Sequence, residues 1–385
     1  MRSGHAIIGA SYGDEGKGLM TDYFASQCPE DSLVVRFNGG AQAGHTVVDP
    51  VGRRHVFSHF GAGSFLNVPT YLSEYFIVNP MVFFDEWVRL IMLGAKPILY
   101  IHGDAFVSTP LDILINQVVE TYRGLKRHGS CGVGINETVT RCLDSERYLT
   151  RAKDLLKPHV LEQKLEVIRK EWFKKRLAHY GINYDEALDT VPYMNQLLNS
   201  ENLHQVYMED VKRVLDAASI VYEPPVFDNV IFEGAQGLLL DEGRQDLFPH
   251  VTRSRTGSTN VFQLCKQFGI DDLTVTYVTR SYITRHGAGP LLDEADFSFP
   301  DRTNVTNAFQ GSLRFAPMNI GLLADSIERD LKTPGRPTIF KANLAVTCLD
   351  QLDECPDSNS LPVPVIYRSY GETRGTITAK EAVKV

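Results

Sequence analysis

The sequence has 385 residues, of which 43% are hydrophobic and 22% are charged. These values exclude a disordered, fibrous or collagen-like chain, because they supply enough apolar surface for a large globular core. The formal net charge of −8 argues against non-specific binding to nucleic acid or to an anionic membrane surface, so we expect neither as a partner.

The chain shows no pattern of secretion or membrane insertion. The apolar run at residues 6–9 is too short for the core of a signal peptide, and no stretch reaches the roughly 18 apolar residues of a membrane span. The six cysteines form no CxxC pair, and their spacing does not match a zinc site. We therefore expect reduced thiols and a cytoplasmic location.

Short runs rich in β-branched and aromatic residues predict buried strands. In chain order these runs are residues 5–9, 32–37, 97–102, 230–232 and 273–278. Residues 159–180 differ, because apolar side chains recur there at helical spacing and predict an amphipathic packing helix. Strands that alternate with helices predict an α/β fold with a central, mostly parallel sheet flanked by helices. We predict one large domain, residues 1–385, which binds its ligands outside the carboxyl ends of the strands.

A glycine-rich loop follows the first predicted strand. Glycines at 13, 16 and 18 allow a tight turn with inward-pointing amides, and Lys17 adds a positive charge, a combination that favours phosphate binding. The loop departs from the P-loop pattern, because Gly18 stands where that pattern has Ser or Thr. The alternative interpretation is a plain strand-to-helix turn with a solvated acidic pair.

Asp14 lies within this loop. A carboxylate beside phosphate-binding amides is a candidate magnesium ligand or general base. The structural alternative is a solvated aspartate that caps the following helix.

A second glycine-rich loop, residues 38–46, follows the strand predicted at 32–37 and contains His45. A single histidine is usually structural. At the same edge of the sheet as the first loop, however, His45 is well placed for phosphate chemistry.

Several segments, in family order, resemble the motifs of adenylosuccinate synthetases. They are GDEGKG at 13–18, NGGAQAGHT at 38–46, GSCGVG at 129–134, FEGAQG at 232–237, LLD at 239–241, FPHVT at 248–252, TRHGAGP at 284–290, TCLD at 347–350 and SYG at 369–371. The resemblance extends from about residue 5 to about residue 376.

The resemblance implies a P-loop-related fold with small peripheral subdomains. One would be helical, at about residues 105–215, and a shortened base-binding region would lie at about 341–385. The resemblance also implies a homodimer that joins L-aspartate to the 6-position of a purine nucleoside monophosphate. A nucleoside triphosphate first phosphorylates the purine 6-oxygen, and the aspartate amine then displaces that phosphate, with one Mg²⁺ per subunit.

Catalytic roles follow from the matched motifs. Asp14 would accept the purine N1 proton and bind Mg²⁺, with the backbone carbonyl of Gly44 as the other protein ligand to the metal. His45 would donate to the transferring phosphoryl group, and Lys17 would hold it. Gln236 would contact the purine 6-oxygen.

The same resemblance implies a set of nucleotide-binding residues. Gln42, Ser130 and Thr252 would contact the monophosphate, Arg141 the 5′-phosphate bound by the neighbouring subunit, and Arg285 the ribose. Asp350 would accept from guanine N1–H and N2–H₂, which favours GTP as the donor. The remaining positions are Gly13, Glu15, Gly16, Gly18 and Gly371.

Three departures from the family pattern concern recognition. Cys348 replaces the base-recognising lysine. The aspartate-binding loop, usually rich in arginine, keeps only Arg314 to hold a carboxylate, with Arg302 close by, and we expect Thr303 and Thr306 to contact aspartate. Arg253 and Arg255 stand where small polar residues are usual.

These departures leave alternatives open. The main prediction is IMP, L-aspartate and GTP as substrates. The unusual aspartate loop and the two arginines resemble a phage branch of the family that uses dGMP with ATP or dATP, and such an enzyme would work in the host cytoplasm. Members of that branch carry a small hydroxyl residue in place of the first-loop aspartate, so the retained Asp14 favours IMP. A nucleotide-binding regulator without turnover is the alternative from another class.

Overall fold

The structure is a computed structural model that describes residues 2–124, 132–198, 200–304 and 311–380. The strands are β1 (Ser3–Gly9), β2 (Ser32–Arg36), β3 (His45–Val48), β4 (Arg54–Phe57), β5 (Thr70–Leu72), β6 (Ile77–Val78), β7 (Leu99–His102), β8 (Phe106–Val107), β9 (Ala218–Val221), β10 (Asn229–Gly237), β11 (Asp272–Arg280), β12 (Ile283–His286), β13 (Leu313–Ala316), β14 (Ile339–Thr347), β15 (Val365–Ser369) and β16 (Ile377–Ala379). The helices are α1 (Lys17–Ala25), α2 (Pro80–Met92), α3 (Pro110–Arg123), α4 (Ile135–Asp144), α5 (Ala152–Leu155), α6 (Pro158–Val167), α7 (Phe173–His179), α8 (Tyr184–Thr190), α9 (Pro192–Leu198), α10 (Glu201–Ala217), α11 (Ser258–Phe268) and α12 (Ile320–Leu331).

A ten-stranded sheet forms the centre of the molecule, in the order β16-β15-β14-β11-β1-β10-β2-β5-β7-β9. Each described neighbouring pair is parallel except β15 with β16 at one edge. The predicted mostly parallel sheet is therefore confirmed. Because β1 lies between β10 and β11, the loops that follow these strands meet at one edge of the sheet.

Both faces of the sheet are buried, which explains why its strands read as continuous apolar runs. Successive residues of β1 point to opposite faces: Ile8 packs in a cluster with residues of α11 and α12. Ile7 packs on the other face with Met20 and Phe24 of α1.

The amphipathic helix predicted at 159–180 is present as α6 and α7, joined by a π-helical turn at Ile168–Trp172. Its predicted apolar stripe is buried and divides between two hydrophobic clusters. The stripe consists of Leu161, Leu165, Ile168 and Trp172.

Helices α3 to α10 fill most of the chain between β8 and β9. Within the described ranges, no helix combines the length and apolar character needed to cross a membrane.

Candidate active site

A cavity of about 1050 Å³ opens at the carboxyl ends of β1, β2, β10 and β11. Its walls include the two glycine-rich loops, the end of β10 at Gln236, residues 248–253 and residues 285–288. One further wall comes from α3, α4 and α7. This is the place that the parallel sheet predicts for a ligand.

The first loop is held from inside by Glu15. Its Oε1 accepts from the backbone amides of Ser11 at 3.0 Å and Gly13 at 2.8 Å, and its Oε2 accepts from Lys17 Nζ at 2.6 Å. Glu15 and Lys17 are both buried. The carboxylate of Glu15 therefore shapes the loop and positions Lys17, and the nucleotide contact predicted for Glu15 stays a prediction.

Glycine is required at two positions of this loop. Gly16 has φ 95°, in the left-handed region. A Cβ on Gly18 would lie 2.8 Å from the carbonyl oxygen of Thr46 and 3.0 Å from the Cβ of His45. Gly18 thus replaces the Ser or Thr of a P-loop because the strand that begins at His45 passes directly over it.

Asp14 lines the cavity with φ 61°, and its backbone carbonyl accepts from Arg280 Nε at 2.5 Å. Burial raises the pKa of the Asp14 carboxyl, and the positive charges of Arg280 and Lys17 oppose that rise. Among the described residues, the Asp14 carboxylate has no hydrogen-bond partner. The group is therefore a carboxylate of increased basicity that faces the ligand space, as a general base requires.

His45 forms a buried pair with Glu233, because its Nδ1 lies 2.7 Å from Glu233 Oε1. Burial lowers the pKa of His45, and the Glu233 carboxylate opposes the shift. The buried Nε2 of His45 has no partner among the described residues, although the side chain lines the cavity. This arrangement fixes the ring through Nδ1 and leaves Nε2 for a ligand.

Glu233 is a residue that the sequence analysis missed. Burial alone would raise the pKa of its carboxyl, but His45 and Arg36 hold that pKa below its usual value. Its second oxygen accepts from the backbone amide of Ala62 at 3.2 Å. A glutamate directly after the apolar run at residues 230–232 was the signal available in the sequence.

Arg280 is the second missed residue. Besides the carbonyl of Asp14, it contacts the hydroxyl of Tyr282 at 3.0 Å and Asp301 Oδ2 at 3.0 Å. Despite burial, the backbone amide of Asn304 and the charge of Arg280 lower the pKa of Asp301 to about 2. Arg280 thus ties the first loop to the segment that carries Thr303.

Two glutamines line the cavity at predicted positions. Gln236 lies at the end of β10 with φ 64°, close to the first loop, since a Cβ on Gly13 would lie 3.3 Å from its Oε1. The Oε1 of Gln42 is buried without a partner among the described residues. Both amides can bind a ligand without adding charge.

Thr252, Arg285 and Thr303 also line the cavity. The guanidinium of Arg285 lies 4.4 Å from the ring centre of Tyr12 and donates to the carbonyls of Pro290 at 2.8 Å and His250 at 3.0 Å. Thr303 Oγ1 lies 2.7 Å from Thr46 Oγ1, next to His45.

Arg141, predicted to reach the 5′-phosphate bound by the neighbouring subunit, has its side chain directed into its own chain. Its side chain is fully buried and forms a bidentate pair with Asp112, with both N–O distances 2.8 Å. It also donates to the carbonyl of Val107 and the hydroxyl of Thr150, both at 3.0 Å. Arg141, in α4, therefore links this helix to Asp112 in α3 and to Val107 in β8.

Arg314, predicted to hold the carboxylate of aspartate, lies outside the described lining of the cavity. It pairs with Glu294 at 2.8 Å and donates to the carbonyls of Gly287 and Gly289. The guanidinium of Arg314 therefore donates mainly to the segment 287–294, which follows β12.

Asp350 and Gly371 lie together but outside the lining of the cavity. They follow the adjacent parallel strands β14 and β15, where Leu349 N donates to the carbonyl of Ser369 at 3.1 Å. Asp350 is exposed. Ser130 and Thr306 fall outside the described residues.

The wall formed by α3, α4 and α7 is polar. Glu137 accepts from Arg176 Nε at 2.6 Å and from the Tyr180 hydroxyl at 2.7 Å. Arg123 pairs with Glu120 at 2.6 Å. Along the sequence, α3 precedes and α4 follows the segment that contains Ser130.

The donor set fits Mg²⁺ bound largely through substrate. Mg²⁺ prefers oxygen ligands and commonly takes one or two carboxylates together with substrate phosphates. Asp14 supplies such a carboxylate, and Gly44 lines the same cavity. Within the described ranges, no group of three His, Cys, Asp or Glu side chains could hold a metal by itself.

Comparison with known proteins shows the family. The family model described as adenylosuccinate synthetase matches residues 6–383. The adenylosuccinate synthetase of Saccharopolyspora erythraea is 33% identical over 301 residues, which cover 75% of this chain but 64% of that relative. The match therefore spans less than two thirds of that curated relative.

Solved structures show the fold. A fully ligated adenylosuccinate synthetase from Plasmodium falciparum aligns with a TM-score of 0.71 and 19% identity, covering 98% of this chain and 99% of that one. The succinoaminodeoxyadenylate synthetase of cyanophage S-2L, bound to dGMP and dATP, aligns with a TM-score of 0.60 and 15% identity, covering 99% of this chain and 96% of that one. The fold is thus the α/β fold of adenylosuccinate synthetases. Together with the family match, this means that the chain belongs to the adenylosuccinate synthetase family.

Proposed function

We propose that the protein is a carbon–nitrogen ligase that joins L-aspartate to the 6-position of IMP, with GTP cleaved to GDP and phosphate. The observation that carries this proposal is the convergence of Asp14, Lys17, His45 and Gln236 on one cavity. Two of its polar atoms, His45 Nε2 and Gln42 Oε1, are buried without partners among the described residues, as in a site built to receive a polar ligand.

The first step needs a nucleophilic purine 6-oxygen. Asp14 accepts the N1 proton, since burial makes its carboxylate more basic than an ordinary aspartate. The negative charge then moves to the 6-oxygen, beside the amide of Gln236. That oxygen attacks the γ-phosphorus of GTP, and GDP leaves.

His45 and Lys17 stabilise the charge that develops on the transferring group. Lys17 is held by Glu15 as a fixed positive charge. The imidazole of His45 is neutral in the free protein, because burial lowers its pKa. Nearby phosphate favours the imidazolium, which donates from Nε2 while Nδ1–H stays bonded to Glu233.

The second step is displacement of the 6-phosphate by the amine of L-aspartate. Thr303 is the described candidate for holding aspartate, because its hydroxyl lies against Thr46, next to His45. Asp14 and the backbone carbonyl of Gly44 would hold Mg²⁺, which would neutralise negative charge on the phosphates.

The choice of IMP and GTP rests on two aspartates. Asp14 is retained, and a carboxylate at that position suits a 6-oxopurine with a proton on N1. Asp350 is exposed at the carboxyl end of β14, where it can accept from guanine N1–H and N2–H₂.

We further propose a cytoplasmic homodimer in which the helical region at about 105–215 is a peripheral subdomain.

Phosphate release tests the proposal. The protein is assayed with L-aspartate and Mg²⁺, while IMP and dGMP are each crossed with GTP and ATP. We expect release that requires both aspartate and IMP and is fastest with GTP. Turnover with dGMP but not with IMP would instead assign the phage-type reaction. No phosphate release in any combination would support a nucleotide-binding regulator without turnover.

A further inference from the structure

We propose that Arg253 binds the 5′-phosphate of the purine monophosphate within its own chain. The inference deepens the proposed ligase function and rests on it. Its starting point is a cation that the catalytic roles above do not use.

Six lysine or arginine side chains line the described part of the cavity, and five of them already hold a partner. Lys17 and Arg123 pair with glutamates, Arg176 pairs with Glu137, and Arg285 donates to two carbonyls. Arg280 pairs with Asp301. Arg253 has no ion pair or hydrogen bond from its side chain to any other described residue.

Hydrogen bonds of the flanking residues fix the backbone on both sides of Arg253. Thr252 N donates to the carbonyl of Leu240 at 2.8 Å, and the carbonyl of Ser254 accepts from Glu242 N at 3.1 Å. The hydroxyl of Ser254 also accepts from Gly39 N, in the second glycine-rich loop, at 3.0 Å. The residues on both sides of Arg253 are therefore anchored, while its side chain is exposed at the cavity wall.

Arg255 shows what the neighbouring arginine does instead. It lies two residues further on, is exposed, and is absent from the described cavity lining. Its guanidinium pairs with Asp241 at 3.3 Å and Glu242 at 3.1 Å. Within the described part of the chain, Arg253 is thus an unpaired cation at the cavity, whereas Arg255 is a paired cation outside its lining.

The proposed reaction brings three anionic groups into the cavity, which are the triphosphate of GTP, L-aspartate and the 5′-phosphate of IMP. The transferring phosphate belongs beside Lys17 and His45, and aspartate belongs beside Thr303. The 5′-phosphate remains, and Arg141, predicted to reach that group in the neighbouring subunit, is buried in its pair with Asp112. Arg253 adjoins Thr252, the predicted monophosphate contact, and a guanidinium suits a phosphate because it can donate two parallel hydrogen bonds.

The test compares wild type, Arg253→Gln, Arg253→Lys and the control Arg255→Gln. Binding of IMP and of inosine is measured by calorimetry, and KM is measured for IMP, GTP and L-aspartate. We expect Arg253→Gln to raise the Kd and KM for IMP by about 10- to 100-fold, to leave the other two KM values within about 2-fold, and to leave inosine binding unchanged. Arg253→Lys should recover part of the loss, and Arg255→Gln should behave as wild type.

Each contrary result has a separate meaning. Wild type that neither binds IMP nor releases phosphate would overturn the proposed function itself. Wild type that turns over, with unchanged IMP binding in Arg253→Gln, would overturn the role of Arg253 alone. A raised KM for L-aspartate without one for IMP would also overturn it, since the anion would then be the aspartate carboxylate.

A mixing experiment tests whether Arg253 acts in its own chain. Arg253→Gln is combined with an excess of His45→Asn chains, which lack the proposed phosphoryl donor contact. The raised KM for IMP should persist in the mixture. A return to the wild-type KM would show that the arginine reaches the site of a partner subunit and would overturn the assignment within one chain.

Discussion

At the scale of single residues, His45 carries the sharpest prediction about catalysis. Replacing it with asparagine removes the Nε2 donor, so kcat for phosphate release should fall by about 10²- to 10³-fold while the Kd for IMP changes little. His159→Asn is the matched control, because His159 is exposed on α6 and is absent from the described cavity lining. A His45→Asn enzyme with near wild-type kcat would contradict the proposed mechanism.

Arg141 carries a prediction about stability. Arg141→Met should lower the free energy of unfolding by about 3–5 kcal/mol, because it leaves the buried carboxylate of Asp112 without its partner. Urea denaturation measures this change. Arg147→Met is the control: its pair with Glu171 is exposed, so we expect a loss below about 1 kcal/mol. Similar losses in both variants would contradict the structural role of Arg141.

These residues show how far the sequence predicts a site. Asp14 and His45 could be found because they follow buried strands in glycine-rich loops, and Lys17 because its partner Glu15 lies two residues away in the same loop. Arg141 and Arg314 could not be placed, since their carboxylate partners, Asp112 and Glu294, are remote in sequence from them. A long side chain reaches many places, and the distant partner decides which one it takes.

At the scale of elements, the close contact between α1 and β3 restricts position 18, at the end of the first loop, to glycine. Gly18→Ser would restore a P-loop-like sequence but place its Cβ 2.8 Å from the Thr46 carbonyl. We expect a loss of about 1–3 kcal/mol in stability and a marked fall in kcat, because His45 must move. Denaturation and phosphate release measure the two effects.

Gly321→Ala is the control for this glycine substitution. Gly321 lies in α12, where a Cβ would come no closer than 3.6 Å to the Asn319 side chain. Because alanine favours helix, we expect unchanged activity and a gain of up to about 1 kcal/mol. A fully active Gly18→Ser protein would show that β3 can shift to accommodate the serine without displacing His45, and would contradict this prediction.

Strand prediction does not follow burial alone, because β7, with alternating burial, is predicted and the fully buried three-residue β5 is not. Strands β1, β2 and β10 have buried cores, and the sequence predicts all three. It does not predict β14, because the first four of its nine residues are not buried and include Lys341. A strand that is half covered loses the continuous apolar signal of a parallel sheet.

At the scale of the whole molecule, His5 links stability to pH. Burial lowers its pKa from 6.5 to about 3, while its Nε2 lies 2.8 Å from Thr276 Oγ1. The unfolded chain takes up a proton below about pH 6.5 and the folded chain does not, so stability is present above that pH and is lost as pH falls towards 3. We expect a loss of up to about 1.4 kcal/mol per pH unit in this window, measured by thermal or urea unfolding.

His5→Gln is the matched variant, since glutamine can keep a hydrogen bond to Thr276 without titrating. Its stability should depend less steeply on pH between about 6.5 and 4 than that of the wild type. Parallel curves for the two proteins would show that other groups cause the acid sensitivity.

The whole fold is predictable as a class but not as an order of strands. Alternating strands and helices predict a parallel α/β sheet, and the handedness and layer rules follow from that pattern. The sequence does not reveal that β1 lies between β10 and β11, because that order depends on long-range pairing.

The position of β1 has a consequence for how the protein is made. Its first residue, Ser3, pairs with Asn229 on one side and Asp272 on the other, so both neighbours are synthesised long after it. At translation rates of about 5–20 residues per second, β1 waits roughly 10–45 s for its first neighbour. During that interval an apolar strand leaves the ribosome with two open edges. The nascent chain should therefore depend on chaperones until β10 emerges, and the phosphate loop can assemble only late in synthesis.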